Sequence, residues 1–263
     1  MARNLIQVYD GPGACKGAYI QLLNSLRKWA PGFTIIETNG KLIQERHRFN
    51  DTILLCFGGG YDVGFLRSLG LAGCASVKRF VQDGGRYLGI CAGGYFASKK
   101  CMFDKNGPLE VCGPRFTGLF EGIAVGPYFP GFKYDSEDGS YAVPIKAACS
   151  HISPQSTIVY FNGGCSFQCD DWPRSKALYY YANSTDAAII VSRLGDGWSI
   201  LSGVHFEYDL TLLRASNPNP SQRSLDVYAQ LAPMEDSCLQ LCRNLIVSLL
   251  SADDTLISDL CRN

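Results

Sequence analysis

Short apolar runs alternate with longer amphipathic segments along the first hundred residues. Four runs predict β-strands, and one of them, TILLCF, is apolar throughout, as expected for a strand that is buried on both faces. Two segments have apolar residues at helical spacing, and a pair of glycines ends the second. The predicted strands span residues 5–9, 33–38, 52–57 and 86–91, and the predicted helices span residues 18–29 and 75–85. This alternation, with short glycine-containing connections, predicts a parallel sheet with helices on both faces.

The second half of the chain has a different pattern. Strand-like runs follow one another between residues 146 and 204. Residues 193–199, RLGDGWS, place Asp-Gly between two apolar runs, which predicts a β-hairpin. Residues 237–251 predict a helix with a wide apolar face. Since no linker, low-complexity segment or internal repeat divides the sequence, we expect residues 1–263 to form one domain.

Composition and charge exclude several classes of function. The sequence is 46% hydrophobic and 18% charged, which indicates a folded globular protein. Lys plus Arg and Asp plus Glu number 24 each, so no net field attracts nucleic acid or an anionic membrane. The first apolar run is too short for a signal peptide, and no window approaches the ~18 apolar residues of a membrane span. We therefore expect a cytoplasmic protein with no nucleic-acid or membrane partner.

The twelve cysteines do not predict a disulfide framework, because the chain is long and shows no secretory signal. Cys165 and Cys169 are separated by three residues, as are Cys238 and Cys242. The sequence has no C-x-x-C pair and no His-x-x-x-His pair, which are the usual spacings of metal ligands. We expect reduced thiols that behave as small hydrophobic groups, with no metal and no cofactor.

One cysteine lies in a pattern that carries chemistry. Residues 89–93, Gly-Ile-Cys-Ala-Gly, follow a predicted strand and fit the thiol form of a nucleophile elbow, with Cys91 at its tip. The helix that follows such a turn favours the thiolate and directs backbone N–H groups at the reacting carbonyl. Candidate oxyanion and binding positions lie here and in the glycine run after the neighbouring strand. They are Gly59, Gly60, Ala92 and Gly93.

A thiol nucleophile needs a base, and the chain has three histidines. His47 lies in a polar stretch and His151 opens a turn, whereas His205 lies at the end of a predicted strand. Strand ends are where α/β sheets gather their sites. Glu207, two residues further on, is able to orient His205 from the same face of an extended segment. A lone G-x-C-x-G or a lone histidine is more often structural, but the joint pattern of Cys91, His205 and Glu207 favours catalysis.

These residues resemble the Cys-His-Glu triad of class I glutamine amidotransferases. ICAGGYFAS, FNGG and SGVHFEY resemble more narrowly the amidotransferase-like N-terminal domain of eukaryotic biotin–protein ligases, over about residues 5–209. The resemblance implies a flavodoxin-like three-layer α/β sandwich with a mainly parallel sheet and inserted strands. It implies Cys91 as nucleophile, His205 as base and Glu207 as the residue that orients the base.

The resemblance also implies that the segments YFNGGCSF and GPYFPGFKY roof the site. Asn162, Gly163 and Gly164 would then lie near the nucleophile. The two glycines fit a tight turn equally well, and both interpretations stay open. The aspartates of YDVG and GDG are interpreted as turn residues.

The resulting expectation is thiol-dependent attack on a small amide or acyl substrate. Biotin ligation by this chain alone is not expected, since no Gly-Arg-rich adenylate-binding loop is present. A ligase or an ammonia-acceptor protein is a candidate partner. The alternative is a non-catalytic binding or regulatory module related to biotin–protein ligase. A redox-sensing, glyoxalase-like or chaperone-like relative ranks third. Such proteins usually keep an acidic residue close to the thiol on the turn after the first strand. Asp10 is the one candidate there, and Gly-Pro-Gly follows it.

Overall fold

The computed structural model describes residues 3–45 and 49–251. Within them, thirteen strands form one sheet, whose main path runs β2-β1-β3-β4-β13-β12-β10-β7-β5-β6. The strands are β1 (Leu5–Tyr9), β2 (Thr34–Thr38), β3 (Thr52–Phe57), β4 (Arg86–Ile90), β5 (Ser98–Phe103), β6 (Val111–Pro114), β7 (Phe120–Gly126), β8 (Tyr141–Ala147), β9 (Ser156–Phe161), β10 (Ser166–Gln168), β11 (Ser175–Tyr181), β12 (Ala187–Leu194) and β13 (Gly197–Ser202). The helices are α1 (Lys16–Trp29), α2 (Gly40–Gln44), α3 (Asp62–Gln82), α4 (Ala92–Ala97), α5 (Leu210–Ser216), α6 (Gln222–Leu231) and α7 (Glu235–Leu250).

The parallel half of the sheet has helices on both faces, as predicted. Strands β2, β1, β3, β4 and β13 lie side by side in this order and are parallel to one another. Along β3, Leu54 and Cys56 belong to one buried cluster with α1 and α7, whereas Leu55 and Phe57 belong to another with α3. Alternate side chains of one strand therefore fill two separate cores, which is why the run TILLCF is apolar throughout. The result is the expected three-layer α/β sandwich.

The inserted strands form the rest of the sheet and pair mostly in the antiparallel sense. Strands β8, β9 and β11 branch off β12, and β10 lies between β12 and β7. The predicted hairpin joins β12 to β13, with Leu194 paired to Gly197. Its two loop residues are Gly195 and Asp196, and Gly195 takes a φ of +60°. Asp196 is therefore a turn residue, as the sequence predicts.

The helices differ from the sequence prediction in extent. The helix predicted at 75–85 begins at Asp62 and ends at Gln82, and Gly70 (φ +58°) interrupts its helical geometry. Asp62 is thus the first residue of a helix rather than a turn residue. Helices α5 and α6 were not predicted, although Asp209 and Ser221 cap them by accepting from backbone N–H groups. His47 lies outside the described residues.

The elbow is held by a close backbone approach between α4 and β3. A Cβ atom on Gly93 would lie 2.1 Å from the carbonyl oxygen of Phe57. The N–H of Gly93 donates to Gly58 O at 3.1 Å. This approach leaves no room for a side chain, so glycine at position 93 fixes the distance between the helix and the strand.

We expect Gly93→Ala to lower the free energy of unfolding by about 2 kcal/mol or more, because backbone must move to relieve the contact. The matched control is Gly32→Ala, since an added Cβ at the exposed Gly32 meets no atom within 4 Å. Urea unfolding of both variants measures the difference. A loss for Gly93→Ala no larger than that for Gly32→Ala would contradict this account of the elbow.

Candidate active site

Cys91 lies immediately after β4, at the start of α4. Its φ of 52° and ψ of −106° fall outside the regions that non-glycine residues normally adopt. The strained turn is held at both backbone groups: the N–H donates to Ser202 O at 2.7 Å, and the carbonyl accepts from Gly94 and Tyr95 at 2.9 and 3.0 Å. The structure therefore has the strand–turn–helix context that a nucleophile elbow requires.

His205 reaches the elbow from the neighbouring strand. Ser202 of β13 pairs with Ile90 of β4 in parallel register, so the residues after the two strands emerge side by side. The backbone N–H of His205 donates to Tyr160 O at 2.8 Å, which anchors the segment to β9. The residue is 3% exposed, and its side chain interacts electrostatically with that of Cys91.

Glu207 fixes the orientation of the imidazole. His205 Nδ1 lies 2.7 Å from Glu207 Oε1, and the Glu207 side chain is fully buried. With Nδ1 directed at the carboxylate, the other ring edge, which carries Nε2, packs against Gly59. A Cβ atom on Gly59 would lie 2.9 Å from His205 Cε1 and 3.6 Å from Nε2. Glycine at this position therefore leaves room for the ring beside the elbow.

The surroundings of His205 favour its charged form. Burial by itself lowers the pKa of the imidazole, but the Glu207 carboxylate, its hydrogen bond to the ring and the neighbouring Cys91 side chain outweigh it. The pKa of His205 is raised from 6.5 to about 10. At neutral pH His205 is therefore an imidazolium beside Cys91.

One backbone N–H group in the first turn of α4 has no backbone hydrogen-bond partner among the described residues. Gly93 donates to Gly58 O, and Gly94 and Tyr95 donate to Cys91 O. Within the described part of the chain, no such bond involves the N–H of Ala92. Ala92 is thus the position in this turn with a free donor, whereas Gly93 has a packing role. Gly59 and Gly60 lie on the same cleft as Cys91.

A cleft of about 1310 Å³ opens over these residues and is roofed by the inserted segments. The carbonyl of Asn162 lies 3.8 Å from Cys91 Sγ, and its amide donates to Ser136 O at 2.9 Å. Gly163 (φ +77°) lines the cleft beneath Phe132, whose ring a Cβ at this position would meet at 2.5 Å. Gly164 is not part of the wall and packs against the backbone of Gly203.

Several residues at the cleft were not singled out from the sequence. Tyr208 lies with its ring centroid 4.6 Å from that of His205. Tyr134 extends into the cleft from the roof. Asp62 lines the cleft and forms a buried ion pair with Arg115. The sequence does carry one signal for Tyr208. Asp209 is the N-cap residue of α5, so the segment after His205 ends directly after Tyr208.

Among the residues described, no group of three His, Cys, Asp or Glu side chains is arranged to hold a metal ion. In the same part of the chain, no helix is both long and apolar enough to cross a membrane. The eleven cysteines described are free thiols, and six of them are buried.

The fold is an α/β fold of the glutamine amidotransferase-like type. A glutamine amidotransferase from Thermotoga maritima superposes with a TM-score of 0.59, covering 98% of this chain and 99% of that one at 10% identity, a likeness of fold alone. Residues 4–254 match the family described as "Biotin-protein ligase, N terminal". The chain belongs to this family.

Two relatives are similar in sequence. A biotin–protein ligase of Schizosaccharomyces pombe is 34% identical over 209 residues, which cover 77% of this chain and 33% of the ligase. The chain thus spans about one third of that relative's length. An uncharacterized protein of Chlamydia muridarum is 38% identical over 180 residues, which cover 66% of this chain and 68% of that protein.

The raised pKa of His205 predicts how stability depends on pH. Its stabilising contribution is complete below pH 6.5 and is lost as pH rises through about 10. We expect the free energy of unfolding of the wild type, minus that of Glu207→Gln, to shrink by more than ~1 kcal/mol across this range. Urea unfolding at pH 6, 8 and 10 measures it. A difference that stays constant or grows with pH would contradict the assigned interaction.

Proposed function

We propose that the protein is a cysteine-dependent enzyme of the amidotransferase type that attacks a small amide or acyl substrate and is not itself a biotin ligase. The observation that carries the proposal is the arrangement around His205, which follows the strand next to that of Cys91, interacts with the Cys91 side chain and has its Nδ1 2.7 Å from Glu207 Oε1. The three side chains are arranged as a nucleophile (Cys91), a base (His205) and a group that orients the base (Glu207).

The proposed reaction begins from the Cys91 thiolate and the His205 imidazolium, the pair that exists once the thiol proton has passed to His205. The thiolate sulfur then attacks the carbonyl carbon of the substrate, and the negative charge moves to the carbonyl oxygen. The free N–H of Ala92 and the backbone at Gly59 and Gly60 are the candidate donors to that oxygen. Glu207 keeps the imidazolium oriented and balances its charge while it holds the proton.

The tetrahedral intermediate collapses when the carbon–nitrogen bond breaks and His205 returns its proton to the leaving nitrogen. This step releases ammonia or an amine and leaves a thioester on Cys91. Water, or an amine acceptor, then attacks the thioester carbon and gives a proton to His205. The thiolate leaves and is ready for the next cycle, so protons and bonds balance.

The partner follows from the same chemistry. An amidotransferase that makes ammonia needs an acceptor, and we propose a ligase or an ammonia-acceptor protein in this role. The S. pombe relative, a biotin–protein ligase that shares this segment, supports a ligase. We also propose a cytoplasmic location, in keeping with the free thiols of the described cysteines.

The proposal predicts one covalent adduct, at Cys91, when the protein is incubated with an electrophilic glutamine analogue. Peptide mass spectrometry locates the adduct, and Cys91→Ser provides the background. His205→Gln should slow labelling at pH 6.5 by about tenfold or more, because an ordinary thiol, with a pKa of ~8.5, is mostly protonated there.

The matched control is Cys15→Ser, which removes the exposed thiol on the rim of the same cleft and should leave labelling of Cys91 unchanged. If Cys91 reacts only at high pH and equally fast in His205→Gln, the elbow holds an ordinary thiol. The molecule would then be the non-catalytic binding module.

A further inference from the structure

Asp62 forms an ion pair in the wall of the active-site cleft. Its Oδ2 accepts from Arg115 Nε at 2.6 Å, and the two side chains are 8% and 3% exposed. Arg115 is itself fixed, because Nη1 donates to the carbonyl oxygens of Gly113 and Pro114 at 3.3 and 3.0 Å. The carboxylate is therefore held rigidly, with the start of α3 on one side and the loop after β6 on the other.

The ion pair presents its acidic member to the cleft. Asp62 lines the cleft, whereas Arg115 does not. Among the described residues, no donor meets the second carboxylate oxygen, Oδ1. Oδ1, unlike Arg115 Nη2, is not among the buried atoms that lack a partner, so a ligand in the cleft is able to reach it. Burying the pair is itself costly, and a well-packed apolar pair would serve the fold equally well.

The charge of the surrounding wall has the same sign. Lys133 is the one lysine or arginine among the lining residues, and Asp138 lies 3.2 Å from its Nζ. The other cationic lining residue is His205, which is balanced by Glu207. Three further carboxylates line the cleft, Glu110, Asp135 and Glu137. Glu137 accepts from neutral donors, the Tyr228 hydroxyl and the Asn217 amide. A ligand that enters this cleft therefore meets a wall with an excess of negative charge.

We propose that Asp62, held by Arg115, is a specificity-determining residue that binds a protonated amine of the substrate through Oδ1. The substrate class is then an amide or acyl compound that carries a cationic nitrogen away from the reacting carbonyl. This inference rests on the proposed function, because it places the reacting carbonyl at Cys91. A cation in the cleft gains a charge-assisted hydrogen bond and the field of the remaining carboxylates. An anionic ligand of the same size meets repulsion there.

The test uses two N-acetylated chloromethyl ketones of nearly equal length, those of lysine and of norleucine, which then differ by the terminal ammonium alone. In each, the Cys91 sulfur displaces chloride and forms a thioether. Adducts at Cys91 are measured by peptide mass spectrometry at pH 8.5, where an ordinary thiol is about half ionised and reacts in every variant. We expect the lysine reagent to label Cys91 about tenfold faster than the norleucine reagent in the wild type.

Asp62→Asn should bring this ratio close to one. Since the single substitution leaves Arg115 buried without a counter-charge, a second variant, Asp62→Asn with Arg115→Met, removes both charges and should give the same ratio. Asp138→Asn is the matched control, because Asp138 is an exposed carboxylate on the same cleft, and its ratio should stay at the wild-type value.

A wild-type ratio near one, or a ratio that survives in both Asp62 variants, would overturn the assignment. A different result contradicts the proposed function: a labelling rate of Cys91 at pH 6.5 that is the same in His205→Gln as in the wild type. The ratio of the two reagents does not depend on that activation, so the two failures are distinguishable.

Discussion

A carboxylate with almost no access to solvent lies beneath the elbow and determines much of what surrounds it. Glu207 is 1% exposed, and within the described chain its Oε1 meets His205 Nδ1 while Oε2 has no hydrogen-bond partner. A buried charge of this kind is tolerated only beside an opposite charge. The imidazole two residues away is the group that supplies it, which is why the pKa of His205 is raised despite burial. The chemistry proposed for Cys91 depends on this pair.

The sheet brings the pair to Cys91 without any long loop. Strands β4 and β13 are neighbours and parallel, so Cys91 and His205 follow adjacent strands at the same edge. Glycines then set the distances: Gly93 lets α4 approach β3, and Gly59 leaves space for the imidazole. The inserted strands add a roof that carries Phe132 and Tyr134 and turns an open sheet edge into a cleft.

The sequence predicted the parts of this structure that depend on local pattern. Alternating strands and helices, the hairpin before β13 and the elbow at Cys91 all have short-range signals, and each is present. The pairing order of the inserted strands could not be predicted, because it depends on contacts between residues far apart in the chain. The same holds for Asp62: its motif fits a turn, and only the distant Arg115 makes it a buried cleft residue.

The central claim is that Glu207 holds His205 in its charged form beside Cys91. Nitrogen NMR of the protein labelled at histidine tests it most directly, since the ring nitrogens of imidazole and imidazolium have different shifts. The account predicts that His205 carries protons on both nitrogens at pH 7.5, and that Cys91→Ala lowers the pKa of His205 by removing one of the partners that raise it. A neutral His205 ring at pH 7.5 in the wild type, with a titration unchanged in Cys91→Ala, would contradict it.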